Sequence, residues 1–458
     1  MARTTAYEFD ALVAAAAGVA DGPGLHTVPP PVFAWLEAQA LRLAEAGETP
    51  WLRLTQRHGR RAVQLTRFVG VVRAPDGYQI EVLPKVGKAM DGGGDAEARQ
   101  LLIEMLRCLG GFRHIQTDSA QLLATRMPLL EVFIGEFLRA VAHLVQRGLR
   151  SDYTAQQDNL FALRGKLHMA AHLRHNLCRR DRFFVEFDEF SPNRPENRLL
   201  HAALKRVLAW TALQDHQQRA RELCFVFADV PASEHPTTDF QRVRLDRGMA
   251  HYDGALAWAR LILEDASPLT GAGGHHAPSL LFPMEAVFEA FVAKHLAQQL
   301  GPSFTLRTQA CSLSLVRHRE QHWFRLQPDL LVQTSKVNCL VLDTKWKLID
   351  SRQAAAADKY GLDQGDFYQL HTYGQNYLDG QGDMVLIYPK TDLFKEALRV
   401  FEFPKSAGLR LWVLPFCLKH KRLLFPECSS LDTYFARQPS AAHAPHGVAD
   451  PFQEEALT

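Results

Sequence analysis

Two aspartates and a lysine, Asp329, Asp343 and Lys345, are the residues of this sequence whose types and spacing could do chemistry. If the chain turns back in a hairpin centred near Lys336, the two aspartates are equidistant from the turn and face each other. Directly opposed residues of an antiparallel pair have Cβ atoms roughly 4.5–5.5 Å apart. Side chains alternate along a strand, so Lys345 returns to the Asp343 side while Thr344 points away. Two carboxylates and an ammonium are therefore predicted to converge on one spot.

Facing carboxylates repel each other, and one of them takes up a proton unless a cation lies between them. Ligands that are all oxygen suit Mg²⁺. A magnesium ion held by carboxylates, with a lysine close to a water molecule, is one way to hydrolyse a phosphodiester. A bare Asp-x-Lys in an ordinary hairpin, forming a surface ion pair, is the competing interpretation.

The elements that must position these residues are two predicted strands, residues 323–332 and 338–345, joined by a polar turn at residues 333–336. The run at residues 339–342 is apolar on both faces, which predicts a central strand that is covered on both sides. An aspartate and a lysine at the end of such a strand are costly unless they are paired or bound to a metal. This setting favours a functional site over the surface ion pair.

Composition narrows the class of protein. The chain has 458 residues, 47% of them hydrophobic and 22% charged, which is typical of a globular protein of two or three domains. The formal net charge is only +2, so nucleic-acid binding has to be argued from local patches. The seven cysteines show no Cys-x-x-Cys spacing, which fits a reducing compartment and gives no support to a zinc site. We find no secretory signal and no apolar run long enough to span a membrane, so a cytoplasmic location is expected.

Patterns along the chain predict a multidomain protein of the α+β or α/β class. We expect a β-rich N-terminal domain that docks to a partner (1–120), a helical middle region with a basic patch (121–266), a C-terminal domain (279–435) and a disordered tail (436–458). The middle region has its densest positive charge at residues 164–182. That patch could follow a phosphate backbone, meet an acidic protein surface, or be a solvated helix face.

In the C-terminal part the predicted order is helix, strands, helix, strand. Pro283 opens the first helix, in which Glu289 lies at the edge of the apolar stripe. Residues 365–378 form the second helix, in which Asp366, Gln369 and Tyr373 share one face. Residues 384–388 are predicted to be the last buried strand.

These motifs resemble the PD-(D/E)xK nuclease signature. Pro328 and Asp329, followed by Asp343-Thr344-Lys345, match its acidic positions and its lysine. Gln369 and Tyr373 match the Gln-x-x-x-Tyr motif of the RecB-like branch, and Glu289 matches the acid of the upstream helix. The resemblance implies a restriction-endonuclease-like domain with a central mixed sheet flanked by helices.

More narrowly, the chain resembles the McrC family of McrBC-type, methylcytosine-dependent restriction systems. The resemblance rests on motifs spread over most of residues 60–390, among them residues 80–87, 163–167, 187–198, 342–347 and 366–377. It implies an endonuclease subunit that cuts double-stranded DNA, which is modified in such systems. It also implies a separate AAA+ GTPase ring, resembling McrB, as the partner that binds GTP and is stimulated by this subunit.

From this resemblance we assign roles to the candidate residues. Asp329 and Asp343 are Mg²⁺ ligands, with the backbone carbonyl of Thr344 as a third ligand. Lys345 orients or activates the attacking water, or stabilises the charge that develops on the phosphorane. The remaining residues support this centre: Glu289 as an outer carboxylate, and Gln369 and Tyr373 as groups that position the scissile strand or Lys345.

Two alternatives belong to other functional classes. The chain could be a non-catalytic adaptor whose nuclease-like domain scaffolds a partner NTPase, or a stand-alone RecB-like repair nuclease. It contains no Gly-x-x-x-x-Gly-Lys-[Ser/Thr] loop of its own, so any nucleotide hydrolysis is expected to reside in the partner.

Overall fold

The computed structural model describes most of the chain and divides it into two compact units, Met1–Phe291 and Val292–Thr458. The described residues are 3–16, 20–45, 50–88, 94–109, 128–263, 279–355, 357–406, 408–426 and 429–435. The linker expected at residues 267–278 and the tail expected at residues 436–458 lie outside them. The C-terminal domain was predicted to begin at residue 279, thirteen residues before the second unit does.

The N-terminal part of the first unit is rich in strands, in agreement with the sequence. Its elements are β1 (Arg3–Tyr7), β2 (Ala11–Ala14), β3 (Leu25–Val28), α1 (Pro30–Glu45), β4 (Leu52–Arg57), β5 (Arg60–Leu65), β6 (Phe68–Arg73), β7 (Gln79–Leu83) and α2 (Asp95–Leu106). One sheet has the strand order β3-β2-β5-β4. In another sheet β1 pairs in parallel with β7, and β7 pairs antiparallel with β6.

The middle of the chain combines helices with a small sheet. Its elements are α3 (Leu129–Gln146), β8 (Asp152–Leu160), β9 (Lys166–Leu167), α4 (Met169–Asn176), β10 (Phe183–Ser191), α5 (Pro195–Trp210), α6 (Gln214–Val226), α7 (Pro236–Arg242), α8 (Asp253–Leu263) and β11 (Ser279–Pro283). The prediction of a helical middle region was therefore incomplete, because β8, β10 and β9 form an antiparallel sheet. Strand β11 pairs with β6 and so extends a sheet of the N-terminal part.

The last part of the chain contains the larger sheet. Its elements are α9 (Met284–Ala297), β12 (Thr305–Thr308), β13 (Leu313–His318), β14 (Gln321–Leu326), β15 (Leu330–Thr334), β16 (Val337–Thr344), α10 (Gln364–Tyr377), β17 (Gly382–Pro389), β18 (Phe401–Glu402), β19 (Leu409–Cys417) and β20 (Arg422–Leu423). The strand order is β12-β15-β16-β17-β19-β18, with β20 beside β19. The sheet is mixed, because β16, β17 and β19 run parallel to one another, whereas β15 runs antiparallel to both of its neighbours, β12 and β16. Short 3₁₀ turns complete the chain at Lys85–Lys88, Arg247–Tyr252, Lys359–Gly361 and Ser430–Thr433.

The hairpin of β15 and β16 sets the register of the candidate residues. Its turn consists of Ser335 and Lys336, both with positive φ, the geometry that matches the twist of a two-residue hairpin. A one-residue irregularity between Val332 and Gln333 shifts the pairing, so that Leu330 lies opposite Leu342. The prediction of a central, doubly covered strand is confirmed, since β16 lies between β15 and β17 and residues 340–342 are buried.

Two expectations about this region were wrong. Residues 323–332 do not form one strand, because β14 ends at Leu326 and pairs with β13 rather than with β16. Pro328 has no N–H to donate to a ladder, which favours a break at this point. Residues 384–388 lie in β17 as expected, but β17 is not the last buried strand, since β19 follows it and pairs with it in parallel.

Helix α10 packs against the face of the sheet that carries Val341, Met384 and Leu409. Gly374 makes this close approach possible. A Cβ atom added at Gly374 would lie 2.5 Å from the Sδ atom of Met384 and 3.0 Å from the Cδ atoms of Leu409. The helix is therefore seated at a fixed depth on the sheet.

We expect Gly374→Val to lower the free energy of unfolding by about 1–3 kcal/mol, because the added methyl groups overpack a buried contact. Urea denaturation followed by circular dichroism measures the change. Asn376→Val is the matched control, since it places the same side chain at an exposed position of the same helix. Equal losses for the two variants would contradict the close approach at Gly374.

Candidate functional site

The predicted meeting of Asp329, Asp343 and Lys345 occurs at the carboxyl end of β16. Asp343 follows Leu342 and Asp329 precedes Leu330, so the observed register brings the two aspartates next to each other, as the sequence predicted. Asp343 is only 1% exposed. The Oδ2 atom of Asp329 accepts hydrogen bonds from the backbone N and the Oγ1 of Thr344, at 2.8 and 2.7 Å. These two bonds fix the orientation of the Asp329 carboxylate.

The ammonium group of Lys345 lies among three oxygen atoms. Its Nζ is 2.6 Å from Asp343 Oδ2 and 3.3 Å from Asp366 Oδ1. It also donates a hydrogen bond to Gln369 Oε1 at 3.2 Å. The pair with Asp343 is close but poorly aligned, so Asp343 Oδ2 accepts no well-aligned hydrogen bond from any described residue. The contact between Lys345 and Asp343 is therefore a short ion pair.

Gln369 and Tyr373 connect this ammonium to the segment that carries Asp329. The Nε2 of Gln369 donates to the Tyr373 hydroxyl at 2.8 Å, and that hydroxyl donates to the backbone carbonyl of Gln327 at 3.0 Å. Gln327 is two residues before Asp329. The sequence prediction that Gln369 and Tyr373 share one helical face is therefore confirmed, and both contact the site through hydrogen bonds.

Burial and charge perturb the acid–base properties of the cluster. Burial, together with the neighbouring Asp329 carboxylate, raises the pKa of Asp343 to about 7, although the Lys345 ammonium opposes this shift. Burial alone would lower the pKa of Lys345, but the carboxylates of Asp343 and Asp366 outweigh it and raise that pKa. Perturbed groups of this kind are concentrated at functional sites.

Asp366 is a member of the cluster that was not among the predicted site residues. Besides its contact with Lys345, its Oδ2 accepts a long hydrogen bond from the Tyr388 hydroxyl at 3.5 Å. Burial and the Asp366 carboxylate together raise the pKa of Tyr388. The position of Asp366 three residues before Gln369 was the signal in the sequence, since that spacing puts both residues on one helical face.

Glu289 and the backbone carbonyl of Thr344 keep their proposed roles as predictions. Glu289 lies in α9, partly buried, and belongs to Met1–Phe291, whereas the cluster lies in the other compact unit. Its role as an outer carboxylate stays a prediction. Thr344 contributes its N–H and hydroxyl to Asp329, and the use of its carbonyl as a metal ligand also stays a prediction.

The chemistry of the donor atoms fits a hard cation. Asp343 Oδ2 is a buried, negatively charged oxygen without an aligned hydrogen bond, and Asp329 adds a second carboxylate beside it. No three His, Cys, Asp or Glu side chains within the described residues are grouped so that they could hold a metal by themselves. A cation here would therefore rely on two carboxylates plus backbone or water oxygens, a coordination that Mg²⁺ accepts more readily than most metals.

Part of the basic patch at residues 164–182 packs on aromatic rings or faces an acid, while Arg174, Arg179 and Arg180 are exposed. Lys166 lies opposite Glu186 in the sheet. Arg164 and Arg182 lie over the rings of Phe187 and Phe161, with 4.4 and 4.2 Å from the guanidinium carbon to the ring centroid. The patch spans β9 and α4, so it is not one continuous helix face.

Fold and site together define a mixed α+β protein with a buried cluster of carboxylates and a lysine at the end of a central strand. The model of the family described as "McrBC 5-methylcytosine restriction system component" matches residues 63–389, well over half of the chain and all of the cluster. The chain belongs to this family, as its motifs predicted. No curated protein matches the chain.

Solved structures are similar in fold. A chain of the refined half-complex from the tetradecameric assembly of Thermococcus gammatolerans McrB AAA+ hexamers with bound McrC matches with a TM-score of 0.61 and 18% identity, covering 93% of this chain and 97% of that chain. A chain of the cryo-EM structure of the Thermococcus gammatolerans McrBC complex matches with a TM-score of 0.46 and 19% identity, covering 64% of this chain and 87% of that chain. At such identities the first match supports the fold alone.

A search of the described helices for one that could cross a membrane found none with the necessary length and apolar character.

The raised pKa of Asp343 predicts how stability depends on pH. Its ordinary pKa is 3.8, so the ionised form is disfavoured in the folded chain, and the cost grows as the pH rises from about 4 to about 7. Asp343→Asn removes this cost. We therefore expect the variant to gain stability over the original chain, with a gain larger at pH 8 than at pH 5 by at least about 1 kcal/mol, since one pKa unit corresponds to about 1.4 kcal/mol.

Urea denaturation in EDTA at both pH values measures this difference, and pH effects shared by the two chains cancel. Asp392→Asn is the matched control, because it neutralises an exposed carboxylate of the same unit. Its effect on the free energy of unfolding should be small at both pH values. A gain for Asp343→Asn that is no larger at pH 8 than at pH 5 would show that Asp343 is ionised in the folded chain without cost.

Proposed function

We propose that this chain is the endonuclease subunit of a modification-dependent restriction system, and that it hydrolyses phosphodiester bonds of double-stranded DNA with Mg²⁺. The observation that carries the proposal is the buried Asp343 carboxylate beside Asp329 and Lys345 at the end of a central strand. Membership in the McrBC family supports it, because the family match includes all three residues.

The roles follow from the contacts. Asp329 and Asp343 would hold the Mg²⁺, with the Thr344 carbonyl as a further ligand. The bound ion would polarise the phosphoryl oxygen and lower the pKa of a coordinated water. Lys345 supplies a positive charge fixed beside these carboxylates, and Gln369 keeps the ammonium in place.

The arrangement of elements supports a PD-(D/E)xK domain. Helix α9 is followed by strands that include the antiparallel pair of β15 and β16, then by α10 and by β17, which runs parallel to β16. This is the helix, strand and helix order that the resemblance implied. The two aspartates lie next to each other where β15 begins and β16 ends, at the opposite end of the hairpin from its turn.

A partner follows from the fold comparison. The structure with the TM-score of 0.61 is described as McrB AAA+ hexamers with bound McrC. We infer that this chain likewise binds an AAA+ GTPase ring, which binds GTP and recognises the modified DNA, while this chain cuts and stimulates GTP hydrolysis. Reading 5-methylcytosine would then be the task of the partner rather than of this chain.

The adaptor alternative is less consistent with the site. A scaffold gains nothing from a buried carboxylate whose pKa is raised to about 7 by burial and a second aspartate, since that arrangement costs stability at neutral pH. A stand-alone nuclease would use the same site and would differ from the proposed subunit in cutting without a partner.

We expect Asp343→Ala to abolish DNA cleavage while leaving stimulation of the partner's GTPase unchanged. Removing one of two proposed Mg²⁺ ligands takes away the centre of the reaction, whereas no described contact makes Asp343 necessary for folding. The measurement is cleavage of a methylated duplex by the purified chain with and without the GTPase ring and GTP. Asp392→Ala, an exposed aspartate, is the control that should cut normally.

The same assay separates the three functions. A stand-alone nuclease cuts without the ring, an adaptor never cuts, and the proposed subunit cuts only with its partner. Mg²⁺-dependent cutting by Asp343→Ala would refute the assignment of the site.

Tyr373→Phe tests the hydrogen bonds that position Lys345. The variant loses the hydroxyl that bridges Gln369 and the Gln327 carbonyl, so we expect kcat to fall about tenfold with KM little changed, the equivalent of about 1.4 kcal/mol in the barrier. Tyr377→Phe is the matched control. Tyr377 lies one turn after Tyr373 in α10, and its hydroxyl donates to the carbonyls of Ala310 and Leu326. The Tyr377→Phe variant should therefore lose similar stability with a smaller loss in kcat. Equal losses in kcat would mean that Tyr373 acts only through stability.

A further inference from the structure

The hairpin of β13 and β14 is the most exposed element of the unit that carries the site. Among the described strands these two pair only with each other. Its tip, Arg319 and Glu320, has positive φ at both positions, which makes a tight two-residue turn. Two large aromatic side chains are left in solvent, Trp323 at 44% and Phe324 at 69% exposure. Packing in a hydrophobic core does not explain these exposed aromatic side chains, which suit a surface that binds another molecule.

The charge of the hairpin is positive. It carries three arginines, Arg317, Arg319 and Arg325, all exposed, against one acid, Glu320, which pairs with Arg317. The chain as a whole is nearly neutral, so this is a local excess. Unlike the basic patch at residues 164–182, the hairpin lies in the compact unit that carries the candidate site.

The base of the hairpin is attached to the candidate site. The Tyr377 hydroxyl donates to the carbonyls of Leu326 and Ala310, at 2.8 and 2.9 Å, and so fixes both ends of the hairpin to α10. Tyr373 holds the next carbonyl, that of Gln327. Asp329 follows three residues after β14 ends. A molecule bound along the hairpin therefore extends toward the carboxylate pair.

The backbone of β14 is irregular at one exposed residue. Phe324 has a φ of 55°, and the pairing of β13 with β14 omits the Leu315 and Phe324 position. A positive φ at a bulky residue costs on the order of 1–3 kcal/mol, and such residues occur preferentially where a ligand is contacted.

We propose that this hairpin, residues 313–326, binds the DNA substrate and holds the duplex against the carboxylate pair. A two-stranded ribbon fits the major groove of B-DNA. Arg319 and Arg325 contact phosphates, and Trp323 and Phe324 provide apolar contact with sugars or base edges. The inference rests on the proposed function and specifies which surface of the chain contacts the substrate.

The test measures DNA affinity in the full chain with the Asp343→Asn substitution, so that the duplex is not cut. The probe is a fluorescently labelled duplex containing 5-methylcytosine, and anisotropy is recorded over a range of salt concentrations, with and without the GTPase ring. Adding Arg319→Ala and Arg325→Ala should weaken binding roughly tenfold or more and reduce the salt slope by about 2, one for each lost phosphate contact. Melting temperature and GTPase stimulation should not change.

Arg399→Ala with Lys405→Ala is the matched control, because it removes two exposed positive charges of the same unit outside the hairpin. It should leave the affinity and the slope nearly unchanged. Trp323→Ala with Phe324→Ala should also weaken binding, but without changing the salt slope, because these side chains carry no charge.

Several results would overturn the inference. One is DNA affinity that is unaffected by the arginine pair, or affected no more than by the control pair. Another is loss of GTPase stimulation with unchanged DNA affinity, which would make the hairpin a docking site for the partner. If DNA binding depends on the hairpin but the original chain never cuts with its ring, the nuclease proposal fails while the hairpin inference stands. If the chain cuts with its ring but neither cutting nor DNA binding depends on the hairpin, the hairpin inference fails while the nuclease proposal stands.

Discussion

The site depends on one electrostatic conflict, two carboxylates placed side by side with one of them inside the protein. Asp343 is buried next to Asp329, and burial, followed by the Asp329 charge, raises the pKa of Asp343 to about 7 even though Lys345 opposes the shift. Such an arrangement persists only where the surrounding structure enforces it. Here the enforcement comes from the register of β15 and β16 and from the two hydrogen bonds that Thr344 donates to Asp329.

Helix α10 is the second part of that enforcement. Gly374 lets it approach the sheet closely, and the helix then directs Asp366, Gln369, Tyr373 and Tyr377 toward one end of β16. The tyrosines bind backbone carbonyls of the segment that enters β15, so the same helix fixes the lysine and the strand that carries Asp329. The carboxylate pair, its counter-ion and the exposed hairpin are therefore supported by a single helix.

The sequence predicted the contact of Asp329 with Asp343, but the hairpin reaches that contact by a partly different turn and register. A turn centred near Lys336 was expected, and the chain achieves the same result with a turn at Ser335 and Lys336 plus a one-residue shift at Val332.

Helix α10 and the burial of β16 followed from periodicity. The separate hairpin of β13 and β14 did not, because the pattern of residues 323–332 reads as one strand across the break at Pro328, beside which Tyr373 and Tyr377 bind the carbonyls of Gln327 and Leu326. The sheet of β8 and β10 was missed because β8 is mostly polar, and because β10 starts with three consecutive apolar residues and so does not show the strict alternation that marks a half-buried strand.

The surroundings of Lys345 limit what it can do in the proposed reaction. An ammonium has three hydrogens, and the structure gives it three oxygen neighbours, on Asp343, Asp366 and Gln369. A lysine held in this way is well placed to act as a fixed positive charge. To act as a base it would first have to lose a proton, and that loss would leave two carboxylates without their counter-ion. Of the roles the sequence left open, charge stabilisation and orientation of the water are compatible with this environment. Activation of the water would then fall to the Mg²⁺ that we propose the two carboxylates hold.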